Sequence, residues 1–332
     1  MKNWKHLAFV AVIAIVGMLV GITACKGKNE TTGGTSSKIM VNATVNALKT
    51  AIQNNNKEAV VEAARSIEPE AYLDAVNQGM PLWAFAESIK GISPAVINHL
   101  VKNKATPASN FTYDLNKEGN GIIIKKYTGS GSYIIFPLEI EGYPVVQIGA
   151  GDLYNITDKK NSLQFVVIPE GVKKIGGTSF YEQALLVSVA FPSTLIEIGN
   201  MAFWRTALQQ LDLSHTALTT IGYSAFCGDW NKSTEIIYVK LPDTVTTIGN
   251  GAFQDNKKLT SINIPANIKT IDYLAFSNCS ELNNLTIPDS ITTIEWISTP
   301  GSSVPYEAFK GCGKLPLRTR QRLQELGYRW SF

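Results

Sequence analysis

Seven isoleucines stand in file along the C-terminal two-thirds of the chain: Ile148, Ile175, Ile198, Ile221, Ile248, Ile271 and Ile294. Their separations are 27, 23, 23, 27, 23 and 23 residues. The first six are each followed, five residues on, by Leu153, Phe180, Phe203, Phe226, Phe253 and Phe276. A fixed period near 23 means one supersecondary unit stacked on copies of itself. Such a chain folds as a solenoid and presents an extended face, which favours binding before any chemistry is considered.

Each unit reads Leu-x-x-Ile-x-Ile-Pro-x-x-Val-x-x-Ile-x-x-x-Ala-Phe. The copies at Leu259, Ile262, Ile264, Pro265, Ile268, Ile271, Ala275, Phe276 and at Leu282, Leu285, Ile287, Pro288, Ile291, Ile294 are the clearest. The period-two spacing at the start predicts a short strand. Proline then ends it, because proline cannot donate to a further ladder bond. The next two apolar residues, three apart, are expected to turn the chain inward. Ala-Phe fills the interior, and ring stacks between coils provide the main cohesion.

This repeat resembles the leucine-rich repeat class of bacterial surface antigens called BspA-like, over residues 133–313. The segment Pro137-Leu138-Glu139-Ile140-Glu141-Gly142-Tyr143-Pro144-Val145, with five extra residues after its proline, matches a habit of that family. Departures are local. Leu213-Ser214-His215 stands where proline is expected, and four extra residues occur near Asn155–Asn161 and near Cys227–Glu235. Ten more lie near Trp296–Pro305. The resemblance implies a non-enzymatic surface protein that attaches to proteins or to other cells.

The ends carry separate signals. Lys2 and Lys5, the uncharged apolar run Leu7–Val20 and small residues before Cys25 predict an export signal over 1–25. Ile22-Thr23-Ala24-Cys25 resembles a bacterial lipobox, which implies a lipidated Cys25. An uncleaved anchor helix would tether the chain equally. Lys26, where an aspartate would signal retention, implies onward export to the outer membrane. Residues 26–38 have no apolar anchor and predict a flexible tether.

Residues 39–105 carry helical periodicity, with Val41, Val45, Leu48 and Ile52 at spacings of three and four. The segment Gly79–Trp83 with Val96-Ile97 and Leu100-Val101 resembles a degenerate ankyrin repeat; a plain helix bundle fits the same pattern. Residues 106–136 predict a β-hairpin cap and the first strand, 137–313 the repeats, and 314–332 a C-terminal cap helix. The fold expected is α+β: a leucine-rich repeat solenoid behind a small helical domain.

Removing the two signal lysines from 30 Lys+Arg, against 27 Asp+Glu, leaves a net charge near +1. That balance supplies no long-range field for nucleic acid. Past the signal the histidines are His99 and His215, with no neighbouring acidic or thiol pattern to activate either. No zinc spacing and no phosphate-cradling glycine loop occurs, so no catalytic residue, metal or cofactor is expected. Cys227, Cys279 and Cys312 are expected to pack as small buried groups; a Cys279–Cys312 bond stays open if those coils are adjacent.

Strand alternation leaves two columns pointing outward. One runs Phe165, Ser188, Gln210, Tyr238, Ser261, Asn284; the other runs Val167, Ala190, Asp212, Lys240, Asn263, Thr286. Exposed aromatic and apolar groups beside hydrogen-bonding ones suit protein recognition. The candidate ligand contacts are therefore Phe165, Val167, Gln210, Asp212, Tyr238, Lys240, Asn263 and Asn284. A rival surface is the Trp230 and Trp296 insertions. The chain is expected to be lipid-anchored and surface-exposed at the outer membrane, with a protein partner. The alternative is a periplasm-facing scaffold that organises envelope partners.

Overall fold

The repeat proline sets the shape of each coil. In the coils bearing Pro169, Pro192, Pro242, Pro265 and Pro288, the proline carbonyl accepts the N–H of the apolar residue three positions on, at 3.1–3.4 Å. This tight turn swings the chain from one short strand into another. The computed structural model describes residues 45–65, 67, 69, 71–72, 75, 94–151, 155–159, 162–229, 236–297 and 306–328. Cys25, the tether, Leu153, Trp230 and most of the ankyrin-like segment lie outside those residues.

The repeats form a β-solenoid of about seven turns, about 24 residues apart. Each full coil carries two short strands. One set comprises Tyr133–Ile135, Phe165–Val167 and Ser188–Ala190, paired parallel and in register. It is taken up again by Gln210–Asp212, Tyr238–Lys240 and Ser261–Ile262, also parallel, and extended by a bridge from Ser261 to Asn284. The other set contains the filed isoleucines as two-residue strands: Lys174-Ile175, Glu197-Ile198, Thr220-Ile221 and Thr247-Ile248, each in register with the next. The apolar positions expected to be plain turns are thus a second parallel ladder.

That ladder begins with an antiparallel hairpin. Phe111–Leu115 pairs with Ile122–Tyr127, which pairs parallel to Tyr143–Ile148. The hairpin therefore covers the first hydrophobic layer of the array.

Inside the coils, Phe180, Phe203, Phe226, Phe253, Phe276 and Phe309 stack with centroids 5.1–5.9 Å apart and planes within 15° of parallel. Tyr328, just past the helix Leu317–Glu325, ends the stack. Its ring stands at 90° to Phe309, 5.9 Å away, and its hydroxyl accepts the Phe309 N–H at 2.9 Å. An edge-on ring closes the aromatic face.

A tight corner follows the filed isoleucines. Thr178, Met201, Ser224 and Leu274 occupy the left-handed region at φ 48–61°, three residues after the isoleucine, where Gly251 serves at 60°. The residue directly after the isoleucine is often Gly, because coils meet there backbone to backbone. A Cβ on Gly199 would lie 2.5 Å from the Gly177 nitrogen.

The N-terminal helices run over 45–53, Lys57–Arg65 and Pro94–Lys104. The Asn56 side chain accepts the Ala59 N–H at 3.1 Å, a helix N-cap. Pro94 opens its helix where a missing N–H costs least. Leu48, Val60, Ala64, Tyr72, Ile97 and Leu100 form one buried cluster with Ile135, Phe165, Val167 and Ala190. The helices therefore lie across the outward face of the first three coils.

This overturns one expectation. Strand alternation puts Phe165 and Val167 on an open face, but they are 2% and 0% exposed beneath the helices. Their apolar character is explained by that cover.

Candidate binding face

Past the helices, the alternation expected from sequence is met residue by residue. Leu211, Val239 and Ile262 point inward and are at most 2% exposed. Gln210, Asp212, Tyr238 and Lys240 point outward and are exposed. Parallel pairing sets Gln210 beside Tyr238 and Asp212 beside Lys240, and then Tyr238 beside Ser261. Asn284 and Thr286 end the two columns, both exposed. The strip is thus open from Gln210–Asp212, the fourth strand of the set and the first past the helices, to the C-terminal helix.

Its side chains divide into two groups. Asp212 accepts from the Ser214 N–H at 3.0 Å and hydroxyl at 2.6 Å, so its carboxylate shapes a local turn. Asn263 donates to the Leu241 carbonyl at 3.0 Å and accepts the Leu241 N–H at 2.7 Å. It continues the sheet ladder with its amide. Among the described residues Gln210, Tyr238 and Lys240 make no such commitments, which leaves them as the side chains available to a partner. Tyr238 is 37% exposed, a large side chain open to solvent on this face.

At the far end the strip runs into a cavity of about 500 Å³ beneath the helix Leu317–Glu325. Asn284, Thr286 and Asp289 line it from the last coil; Arg318, Gln321 and Arg322 line it from the helix. The Thr319 hydroxyl donates to the Leu285 carbonyl and pins the helix to the coil. The sequence marks this helix only as a cap. Its basic amphipathic pattern is the available signal that it also presents arginines to the strip's end.

The thiols do not form a site. Cys227, Cys279 and Cys312 are free and buried. Cys279 donates to the Phe253 carbonyl at 3.2 Å and Cys312 to the Phe276 carbonyl at 3.0 Å. Burial pushes the Cys312 and Cys227 thiols up to about 12, and Cys279 well above its ordinary value. Nucleophilic thiols need the opposite shift. His99 sits on the Pro94–Lys104 helix, half-buried, and His215 Nε2 donates to the Phe191 carbonyl at 3.0 Å. Among the described residues no helix is long and apolar enough to cross a membrane.

Residues 155–237 and 230–298 match the BspA type leucine rich repeat region, in six copies. A T. pallidum leucine-rich repeat protein of known structure is 30% identical, with 68% of this chain and 97% of that one covered and a TM-score of 0.56. The chain belongs to the BspA-type leucine-rich repeat family. Lower similarity extends to a leucine-rich repeat protein from Bacteroides ovatus, 23% identical over 57% of this chain and 55% of that one, TM-score 0.43. A leucine rich cell surface protein from Faecalibacterium prausnitzii is 19% identical over 64% and 87%, TM-score 0.23. No curated protein matches. The BspA-type family is one of bacterial surface and adhesin-type proteins, and leucine-rich repeat proteins typically serve as non-enzymatic scaffolds that bind proteins.

Proposed function

We propose that this BspA-type protein is exported, lipid-anchored through Cys25 at the outer membrane, and displayed on the cell surface. There it binds a protein partner through the open half of its outward sheet, without catalysis. The observation that carries this reading is the uncovered strip of Gln210, Tyr238 and Lys240, outward on parallel strands in register. An exposed aromatic with polar neighbours on a rigid sheet costs little entropy to present. The helices cover only the N-terminal end of that face, which leaves Phe165 and Val167 out of the contact set and concentrates it on the later coils.

Shaving intact cells with protease tests the location. Loss of the repeats from intact cells is the expected result. If they survive until the outer membrane is opened, the chain is a periplasm-facing scaffold instead. Capture of partners by the full-length chain, with and without Tyr238→Ala and Lys240→Ala, tests the face.

A further inference from the structure

The cavity between the last coil and the C-terminal helix has a side-chain set that selects a ligand class. Two guanidinium groups, Arg318 and Arg322, face it together with two carboxylates, Asp289 and Glu325. Glu325 pairs with Arg322 at 3.2 Å. The Arg322 Nε is buried with no hydrogen-bond partner among the described residues, and Arg318 and Asp289 take part in no salt bridge among them. Asn284 and Thr286 on the coil wall and Gln321 on the helix wall add neutral donors and acceptors.

Formal charge therefore cancels. An anion entering here meets Asp289 and Glu325; a cation meets Arg318 and Arg322. A neutral ligand with many hydroxyls meets donors and acceptors in equal supply. A volume of about 500 Å³ lies within the range of small-molecule sites. We infer that this cavity is a subsite for a neutral saccharide, taking one or two sugar units at the end of the open strip. The inference rests on the proposed surface role and names a second partner chemistry for the same face: glycan at the helix end, protein along the coils. The two are separate contacts. Tyr238 lies two strand spacings from Asn284, roughly 10 Å, outside the cavity.

The test places the full-length chain on arrayed neutral oligosaccharides, sialylated and uronate-bearing ones, and acidic peptides. Retention on neutral glycans is expected, weakened at least tenfold by Arg318→Gln and by Asp289→Asn, with the melting temperature unchanged. Asn284→Ala, on the coil wall, provides a variant that leaves the helix untouched and should weaken retention likewise. Tyr238→Ala should abolish capture of a protein partner and leave glycan retention as it was. A preference for acidic glycans or acidic peptides would overturn the assignment. So would retention of no neutral glycan, or neutral binding indifferent to all three cavity variants. Loss of protein capture with glycan retention intact, or the reverse, separates this inference from the protein-binding reading.

Discussion

Cys312 donates its thiol across a coil boundary to the backbone carbonyl of Phe276, at 3.0 Å. The same slot one coil earlier holds Cys279 on the Phe253 carbonyl, and one coil earlier again Asn256 on the Phe226 carbonyl at 2.8 Å. These side chains stitch coils together where the aromatic stack leaves a carbonyl facing inward. Cys312→Ala removes the donor and strands a buried acceptor. It is expected to destabilise the fold by about 1–3 kcal/mol in denaturant unfolding. An unchanged midpoint would mean the contact contributes nothing.

The same thiols make the fold sensitive to alkali. Burial raises Cys227 and Cys312 to about 12, whereas an unfolded thiol ionises near about 8.5. The folded state therefore holds protons that the unfolded chain has already lost. Their contribution is whole below about pH 8.5 and falls away as pH climbs toward about 12. The melting temperature should drop across that window, and less steeply in a Cys227→Ala/Cys312→Ala double variant. Iodoacetamide at about pH 8 should leave all three described thiols of the native protein unmodified.

Covering helices predict opposite outcomes for residues of the same outward face. Phe165→Asp puts a carboxylate under the helices and should loosen them, making Lys57–Arg65 and Pro94–Lys104 protease-sensitive while the later coils still resist. Tyr238→Ala and Lys240→Ala should each leave stability within about 0.5 kcal/mol of the parent. Equal destabilisation by all three would mean the strip is covered along its whole length.

Ile248 is 5% exposed in the second ladder. Ile248→Asp buries an unpaired carboxylate between Phe-stacked coils and should cost several kcal/mol. Circular dichroism and thermal melting would show the array collapsed. A folded variant with a near-parental melt would contradict the inward placement of the isoleucine file.

Backbone conformation gives a prediction of opposite sign at two neighbouring positions. Thr178 is a β-branched residue at φ 55°. Thr178→Gly relieves that strain and should stabilise the fold by a few tenths to about 1 kcal/mol. Gly199→Ala, by contrast, drives a methyl to 2.5 Å from the Gly177 nitrogen and should destabilise it. Both are read from the same thermal melt.

The solenoid was legible because its period repeats in side chains that must interlock, Ile248 on Ile221 and Phe253 on Phe226. The second ladder was not, since strands as short as Thr220-Ile221 leave no room for alternation to register. The covered half of the sheet was hidden for another reason. An outward Phe165 reads alike whether it greets solvent or a helix from much earlier in the chain, and only docking decides. A hint was present in the change along the column from Phe165 and Ser188 to Gln210 and Tyr238, apolar or small where helices lie and hydrophilic where they stop. Asn263 was misleading differently: a polar side chain on an outward position looks available, yet its amide completes the ladder with Leu241.

Because helices shelter the opening coils and Tyr328 seals the last ring edge-on, both termini of the array are finished pieces. Only the middle is modular. Duplicating one coil there would add roughly 4.8 Å to the strip and leave either terminus untouched, so the protein's reach is a quantity lineages can tune by counting coils.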